Sequence, residues 1–362
     1  MRVRVVGAGL LGASLGLALT SEGHDVSLDD TSPLALSLAA GLGAGTRATA
    51  TEGEEIDLVV VATPPDVTAD VVCAELDRCP GAVITDVASV KSHVIDTVLA
   101  SGQPGLERFV GAHPMAGKER SGAPNADGDL FRGRPFVVVP TEHSSRTATE
   151  RVTNLAVEVG AMPIIMSAAE HDDAVAAVSH LPQVVSSLLA ARLQDVPEGA
   201  LDLSGQGLRD TTRIAKSDPM LWATILAANA PRVRAHLAPL QRSLQAAISY
   251  LDTCATSHYP PAAVAGLAAL IEAGSAGVAR IPGKHGGAQR AYAEIVVYVP
   301  DRPGELARLF ADVGEAGVNI EDVRLEHAAA AAVGLATISV DPAAGDRLTD
   351  YLSEREWSVV QR

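Results

Sequence analysis

A short β-branched run, Val3 to Val6, ends in Gly7-Ala8-Gly9-Leu10-Leu11-Gly12, and an apolar helical stretch from Ala13 to Thr20 follows at once. A second strand, Val26 to Leu28, then ends in Asp29-Asp30. This G-x-G-x-x-G lies between strand and helix, with an acid about 20 positions further on, as dinucleotide binding requires. Gly7 permits the tight turn, Gly9 lets the backbone approach a pyrophosphate, and Gly12 allows close helix–strand packing. The N–H groups of Leu10 and Leu11 at the helix start face the phosphates, aided by the helix dipole. Asp30 is placed to accept from the ribose hydroxyls, and a carboxylate there repels a 2′-phosphate. The cofactor expected is NAD and not NADP. A basic start before an apolar run also mimics a secretory leader, but Gly7, Gly9, Gly12 and Gly16 interrupt it and a second strand follows directly.

At 362 residues the chain has room for two or three domains. Its formal charge of −16 disfavours nucleic acid and anionic membrane surfaces as partners. No run approaches the ~20 unbroken apolar residues of a membrane span. Cys73, Cys79 and Cys254 are an odd count without metal spacing, which fits packing residues in a reduced cytoplasm and no metal site.

The α/β pattern continues. Pro33 to Ala40 reads as a helix, and Asp57 to Ala62 as a buried strand ending in Thr63-Pro64-Pro65, which makes Thr63 a neighbour of the cofactor. Val67 to Leu76 is helical, and Ala82 to Val87 is a strand leading into Ser89. That serine has two readings, a helix N-cap or a hydroxyl facing the substrate. Phe109 to Gly117 is again strand then turn, and it carries His113 on a Gly/Pro frame at the ligand edge of the sheet. A histidine there is a proton-transfer group, its ordinary pKa lying near working pH. Phe136 to Val139 is a further strand, read as an edge, followed by a helix over 147–159 and a last strand from Met162 to Met166.

From about Ser167 to Ala279 Ala- and Leu-rich helices take over, with faces suited to burial by a second subunit. Two stretches are too polar for simple core: Ser179-His180-Leu181-Pro182-Gln183, and Gly207 to Trp222, in which Arg213 is suited to bidentate carboxylate capture. Asp218-Pro219 opens the next helix as a cap. Residues 280–290 are Gly-rich and basic, a linker, and 291–362 reads β-α-β-β-α-β: strands over 293–299, 318–326, 333–340 and 356–361, and helices over 304–316 and 344–354.

GAGLLGASLG, DVASVK, GAHPMAG, SHLP and DTTRIAKSDPMLW, in that order, resemble the prephenate/arogenate dehydrogenase family of tyrosine biosynthesis. The tail, with Val299 to Leu306 and Val318-Asn319-Ile320, resembles an ACT domain. The fold class expected is therefore a doubly wound, mostly parallel Rossmann domain (1–166), an all-α dimerisation domain (167–282), a linker (283–290) and a ferredoxin-like ACT domain (291–362).

The resemblance implies NAD-dependent oxidative decarboxylation of prephenate to 4-hydroxyphenylpyruvate in a cytoplasmic homodimer, with an amino-acid effector, tyrosine, at the ACT domain. It implies that His113 accepts the 4-hydroxyl proton, that Ser89 holds that hydroxyl or orients the imidazole, and that Arg213 binds a substrate carboxylate. It further implies that His180 contacts the side chain, that Glu119 stands near the substrate entrance, that Trp222 lies just past the arginine motif, and that Asp210 orients His180 or Arg213. Lys118 and the five alanines from Ala328 to Ala332 depart from the family pattern. Three other readings are open: arogenate as the substrate, a β-hydroxyacid-type dehydrogenase built on a lysine, and a non-catalytic sensor of NAD and an amino acid.

Overall fold

A computed structural model describes residues 1–48, 55–118, 120–282, 292–327 and 333–361. The chain divides into two compact units, Met1–Ala191 with Thr212–Pro239, and Arg192–Thr211 with Leu240–Arg362.

The first unit is built on an eight-stranded sheet: β1 (Arg2–Val6), β2 (Asp25–Asp29), β3 (Thr46–Arg47), β4 (Leu58–Val61), β5 (Val83–Asp86), β6 (Phe109–Pro114), β7 (Pro135–Pro140) and β8 (Met162–Ile165). The spatial order is β3-β2-β1-β4-β5-β6-β7-β8. Helices α1 (Leu10–Ser21), α2 (Pro33–Gly41), α3 (Pro65–Arg78), α4 (Ser92–Ala100) and α5 (Arg146–Glu158) connect and cover it. Leu58 and Val60 face one buried cluster, while Val59 and Val61 face the other. Both faces are covered, so the strand reads as a continuous apolar run without alternation.

Neighbouring strands are parallel except for β6 and β7, which are antiparallel. The β7 strand corrects the edge reading. Phe136 to Val139 are all buried, between β6 and β8, and the edge is β8, where Met162, Ile164 and Ile165 are exposed. The order of strands reverses between β1 and β4, and a crevice outside their carboxyl ends is where open α/β sheets bind ligands.

Helix α6 (Ala168–Val175) opens with a reciprocal capping box between Ser167 and Glu170. One π-helical turn, Ala176–His180, joins it to α7 (Leu181–Arg192). After α8 (Glu198–Leu201) and α9 (Gln206–Thr212) comes a 3₁₀ turn, Arg213–Ala215. Helix α10 (Pro219–Ala228) is capped by the Asp218 carboxylate, which accepts from the N–H groups of Met220 and Leu221. Long helices α11 (Ala230–Thr256) and α12 (Pro261–Val278) complete the region. The division between the units falls at Pro239, inside α11, where the ring removes an i→i−4 hydrogen bond. Among the described residues Ala168–Asp195 and Pro261–Val278 are long and apolar enough to cross a membrane, by length and composition only. The first of them carries buried His171, Asp172 and His180.

In the second unit β9 (Ala293–Pro300), β10 (Asp322–His327), β11 (Val333–Val340) and β12 (Ser358–Gln361) form an antiparallel sheet in the order β10-β11-β9-β12. Helices α13 (Glu305–Glu315) and α14 (Gly345–Glu354) contribute Leu309, Val313, Leu348 and Leu352 to its core. The expected strand over 318–326 starts four residues late, because Gly317 takes a positive φ of 66° and Val318 to Ile320 form a loop. The expected linker at 283–290 and the alanines at 328–332 lie outside the described residues.

Candidate active site

The glycine turn follows β1 at the reversal of strand order. Gly7 has a φ of 103°, and a Cβ on it would stand 2.4 Å from the carbonyl oxygen of Ala62. A Cβ on Gly12 would stand 1.8 Å from the Gly7 carbonyl oxygen. These two glycines are demanded by the protein itself. Gly9 is different: its φ is −76° and a Cβ there would meet nothing within 4 Å. Gly9 is also the N-cap of α1, with no side chain capping the helix. The first N–H groups of α1, at Leu10 and Leu11, thus lack a side-chain acceptor, beside the one of the motif's three glycines whose neighbourhood is open. Those donors and that space fit a pyrophosphate.

Asp30 lies against this turn. Its carboxylate accepts from the Ala8 N–H at 2.6 Å and from the Ser32 N–H at 2.7 Å, leaving further lone pairs for ribose hydroxyls. Across the reversal point, the Thr63 hydroxyl is hydrogen-bonded to that of Thr68 at 3.1 Å.

His113 lies in β6 and is 8% exposed. Its Nδ1 is 2.8 Å from Nε2 of His171, and Nδ1 of His171 is 2.8 Å from Oδ1 of Asp172. The chemistry of the three groups fixes the protons. A carboxylate only accepts, so His171 carries its proton on Nδ1, and its Nε2 accepts from Nδ1–H of His113. The remaining nitrogen of His113, Nε2, then holds a lone pair. That is the form a general base requires.

Burial pushes His113 well below the ordinary histidine value, reinforced by His171, Lys91 and His180 and opposed by Asp172. Burial also lowers His171, against the pull of Asp172. For Asp172 burial acts upward, but hydrogen bonds from His171 and from Lys91 and Ser92 outweigh it and hold the carboxyl far below its usual range. The backbone N–H groups of Lys91 and Ser92, at the start of α4, each donate to Asp172 at 2.8 Å. This long-range cap overturns the N-cap reading of Ser89. The N-cap position of α4 is Lys91, its own side chain does not cap, and a carboxylate 80 residues away does the work.

Behind His113, the fully buried Lys91 ammonium bonds the Asp86 carboxylate and donates to the Ala112 carbonyl at 2.7 Å. Burial draws both partners toward neutrality, Asp86 up and Lys91 down, against their mutual attraction. The pair ties the end of β5 to the residue preceding His113.

His180 ends the π-helical turn, 1% exposed. Its ring meets Trp222 edge-on, with centroids 6.1 Å apart. Its Nδ1 stands 3.2 Å from Nδ2 of Asn229, within the same unit. The Asp210 carboxylate, in the other unit, accepts from Gln206 one turn earlier on α9. His113, His180 and Trp222 thus belong to one unit, with Ser89 half-buried beyond β5 and Arg213 exposed on its 3₁₀ turn. On its Nδ1 side the His113 ring is held by His171. Lys118 ion-pairs with Asp127 at 3.1 Å, and Glu119 lies outside the described residues.

His171, Asp172, Asn229 and Lys91 escaped the sequence reading. Glu170-His171-Asp172 at the start of an apolar helix carried the available signal. Asn229 carried none.

Family models match in two consecutive pieces: the nucleotide-binding domain of prephenate dehydrogenase over residues 15–165, and its dimerization domain over 167–270. The chain belongs to the prephenate dehydrogenase family. A probable prephenate dehydrogenase of Streptomyces niveus, NovF, is 37% identical over 98% of both chains. A prephenate dehydrogenase of Bacillus subtilis is 27% identical over 89% of this chain and 87% of its own. Among solved structures, the Aquifex aeolicus prephenate dehydrogenase in complex with hydroxyphenyl propionate and NAD+ aligns with a TM-score of 0.65 at 27% identity, covering 77% of this chain and 98% of that one. Synechocystis arogenate dehydrogenase aligns at 0.59 and 27%, covering 70% and 92%. The member described here is an NAD-dependent oxidoreductase, its Rossmann-type sheet followed by the family's helical dimerization domain.

Proposed function

We propose that this prephenate dehydrogenase family member converts prephenate, NAD+ to 4-hydroxyphenylpyruvate, CO2 and NADH, with His113 as the general base. The observation that carries the reading is the His113–His171–Asp172 chain, which leaves Nε2 of His113 as a lone pair at the carboxyl ends of the strands. Bound NAD+ supplies the hydride acceptor. The uncapped start of α1 and the Asp30 carboxylate fit its pyrophosphate and ribose.

Nε2 of His113 takes the proton of the ring 4-hydroxyl. The imidazolium that results keeps its Nδ1–H on His171, and the Asp172 charge at the end of the chain stabilises it. Ser89 holds the hydroxyl on the neighbouring strand end. Arg213 takes a substrate carboxylate, and His180 with Trp222 lines the side-chain end. Glu119 keeps its proposed place at the entrance. The domain limits proposed are 1–166, 167–282, 283–290 and 291–362.

Two further readings concern assembly and regulation. The dimerization-domain match and the exposed row Leu240, Leu244, Ile248 and Leu251 on α11 support a homodimer, whose proposed place is the cytoplasm. The C-terminal strand–helix–strand–strand–helix–strand unit is an ACT-type module that takes an amino acid, tyrosine by end-product logic. A cavity of about 250 Å³ between Pro300, Asp301, Arg302, Leu306 and Leu325 supports it. Calorimetry of the whole chain with tyrosine tests this, and absence of heat refutes it.

The test of the activity is NADH formation with prephenate and with arogenate, each with NAD+ and NADP+. Turnover of prephenate with NAD+ is expected. Turnover of arogenate alone transfers the reading to arogenate dehydrogenase, and no turnover of either refutes it.

A further inference from the structure

Asn229 determines which nitrogen of His180 carries the proton. It is fully buried between α10 and α11, and its Nδ2 donates to the backbone carbonyl of Asp172 at 2.8 Å. The same Nδ2 stands 3.2 Å from Nδ1 of His180, while its Oδ1 is buried without a hydrogen-bond partner. A peptide carbonyl can only accept, so the amide atom facing it is the NH2 group. Turning the amide over would set two acceptors against each other. The atom facing His180 is therefore a donor, Nδ1 of His180 is an acceptor, and the proton sits on Nε2.

Nothing nearby undoes this. Burial holds the ring down to about 4, against the upward pull of Asp172 and together with a downward push from His171, so the ring is neutral at pH 7. Trp222, edge-on to the ring, restricts its orientation. His180 thus presents one fixed N–H donor.

We propose that Asn229, by holding His180 as an Nε2–H donor, makes the side-chain end of the pocket selective for a 2-keto acid over the corresponding 2-amino acid. The inference rests on the reaction assigned above and adds the residue that sets prephenate apart from arogenate. A ketone oxygen accepts from Nε2–H. An ammonium brings only hydrogens, faces another donor, and loses water without gaining an acceptor. Sites built to hydrogen-bond one group reject the analogue lacking it strongly. Asn229 is a positioning residue here and acts through His180.

The test compares kcat/KM for prephenate and arogenate in the wild-type chain and in Asn229→Asp. The introduced carboxylate draws the His180 proton to Nδ1 and turns Nε2 into an acceptor. The prephenate-to-arogenate ratio is expected to fall by roughly tenfold or more, chiefly through KM, with KM for NAD+ unchanged. Because that carboxylate also faces the Asp172 carbonyl, a second measurement stands independently of its folding. Nitrogen NMR of the whole wild-type chain with labelled histidine, assigned against His180→Gln, is expected to show a neutral ring protonated at Nε2. A proton at Nδ1, a wild-type preference for arogenate, or a folded Asn229→Asp with an unmoved ratio overturns the inference alone. A wild-type chain silent on both substrates overturns the assigned reaction, and this inference with it.

Discussion

Nδ1 of His113 and Nε2 of His171 stand 2.8 Å apart, which joins a strand of the nucleotide-binding sheet to the first helix of the dimerization domain. Replacing His113 by Ala should lower kcat by about 10²–10⁴-fold, with NAD+ affinity retained. An unchanged rate removes His113 from the chemistry. Replacing His171 by Ala should lower kcat at least roughly tenfold, since the imidazolium loses its acceptor.

The pH profile reports on the base. His113 is held below its ordinary value, chiefly by burial, so its base form is present at neutrality and kcat/KM should fall only on the acid side of 6.5. A limb at or above 6.5 would show that burial does not tune the base.

Gly9 and Gly12 should respond in opposite ways. Gly12→Ala forces a methyl group onto the Gly7 carbonyl and should destabilise the fold. Gly9→Ala meets no protein atom and should cost under about 1 kcal/mol, yet weaken NAD+ binding at least roughly tenfold. Thermal denaturation and NAD+ titration of both variants check the contrast, and a Gly9→Ala chain that binds NAD+ normally would remove the pyrophosphate from this turn.

Asp172 serves both the catalytic chain and the start of α4. Asp172→Ala should cost on the order of 3 kcal/mol, because it strands buried donors, and should also depress kcat. Loss of rate without loss of stability would mean that the cap is dispensable.

Arg213→Ala should raise KM for prephenate far more than KM for NAD+, as a carboxylate-binding guanidinium requires. Equal effects on both would show a general disturbance of the unit.

Stability should also depend on pH. His180 titrates at about 4 in the folded chain and near 6.5 when unfolded. Between these values the unfolded chain binds the extra proton, so stability rises as pH is raised from about 4 to 6.5 and is lost as pH falls through that window. The contribution reaches about 3 kcal/mol. His180→Gln should flatten the dependence of the melting temperature across this range.

The turn at Gly7 to Gly12 was legible because each glycine answers a local demand, a positive φ at Gly7 and a carbonyl against Gly12. His113 was legible from its strand-end context. The relay was not, because Asp172 reaches His171 locally but α4 only across 80 residues. Asn229 was invisible for the same reason: a helix-terminal asparagine has a local explanation, and its bond to His180 spans 49 positions. For Asp210 the structure adds only the bond from Gln206, one turn earlier on the same helix. The last strand was itself legible at Met162 to Met166, but its place outside β7 was not, because pairing order leaves no mark on either strand's residues.

The wide turn at Ala176–His180 acts as a phase shifter. An α-helix advances 100° per residue, so a change of one residue in a turn rotates everything beyond it by more than a quarter of a circle. His171 precedes that turn and His180 closes it, and the angle between them is set by its residue count, whatever the side chains inside it. Removing one residue between Ala176 and Val178 would leave an unbroken apolar helix of unremarkable sequence, with His180 swung out of reach of Asn229.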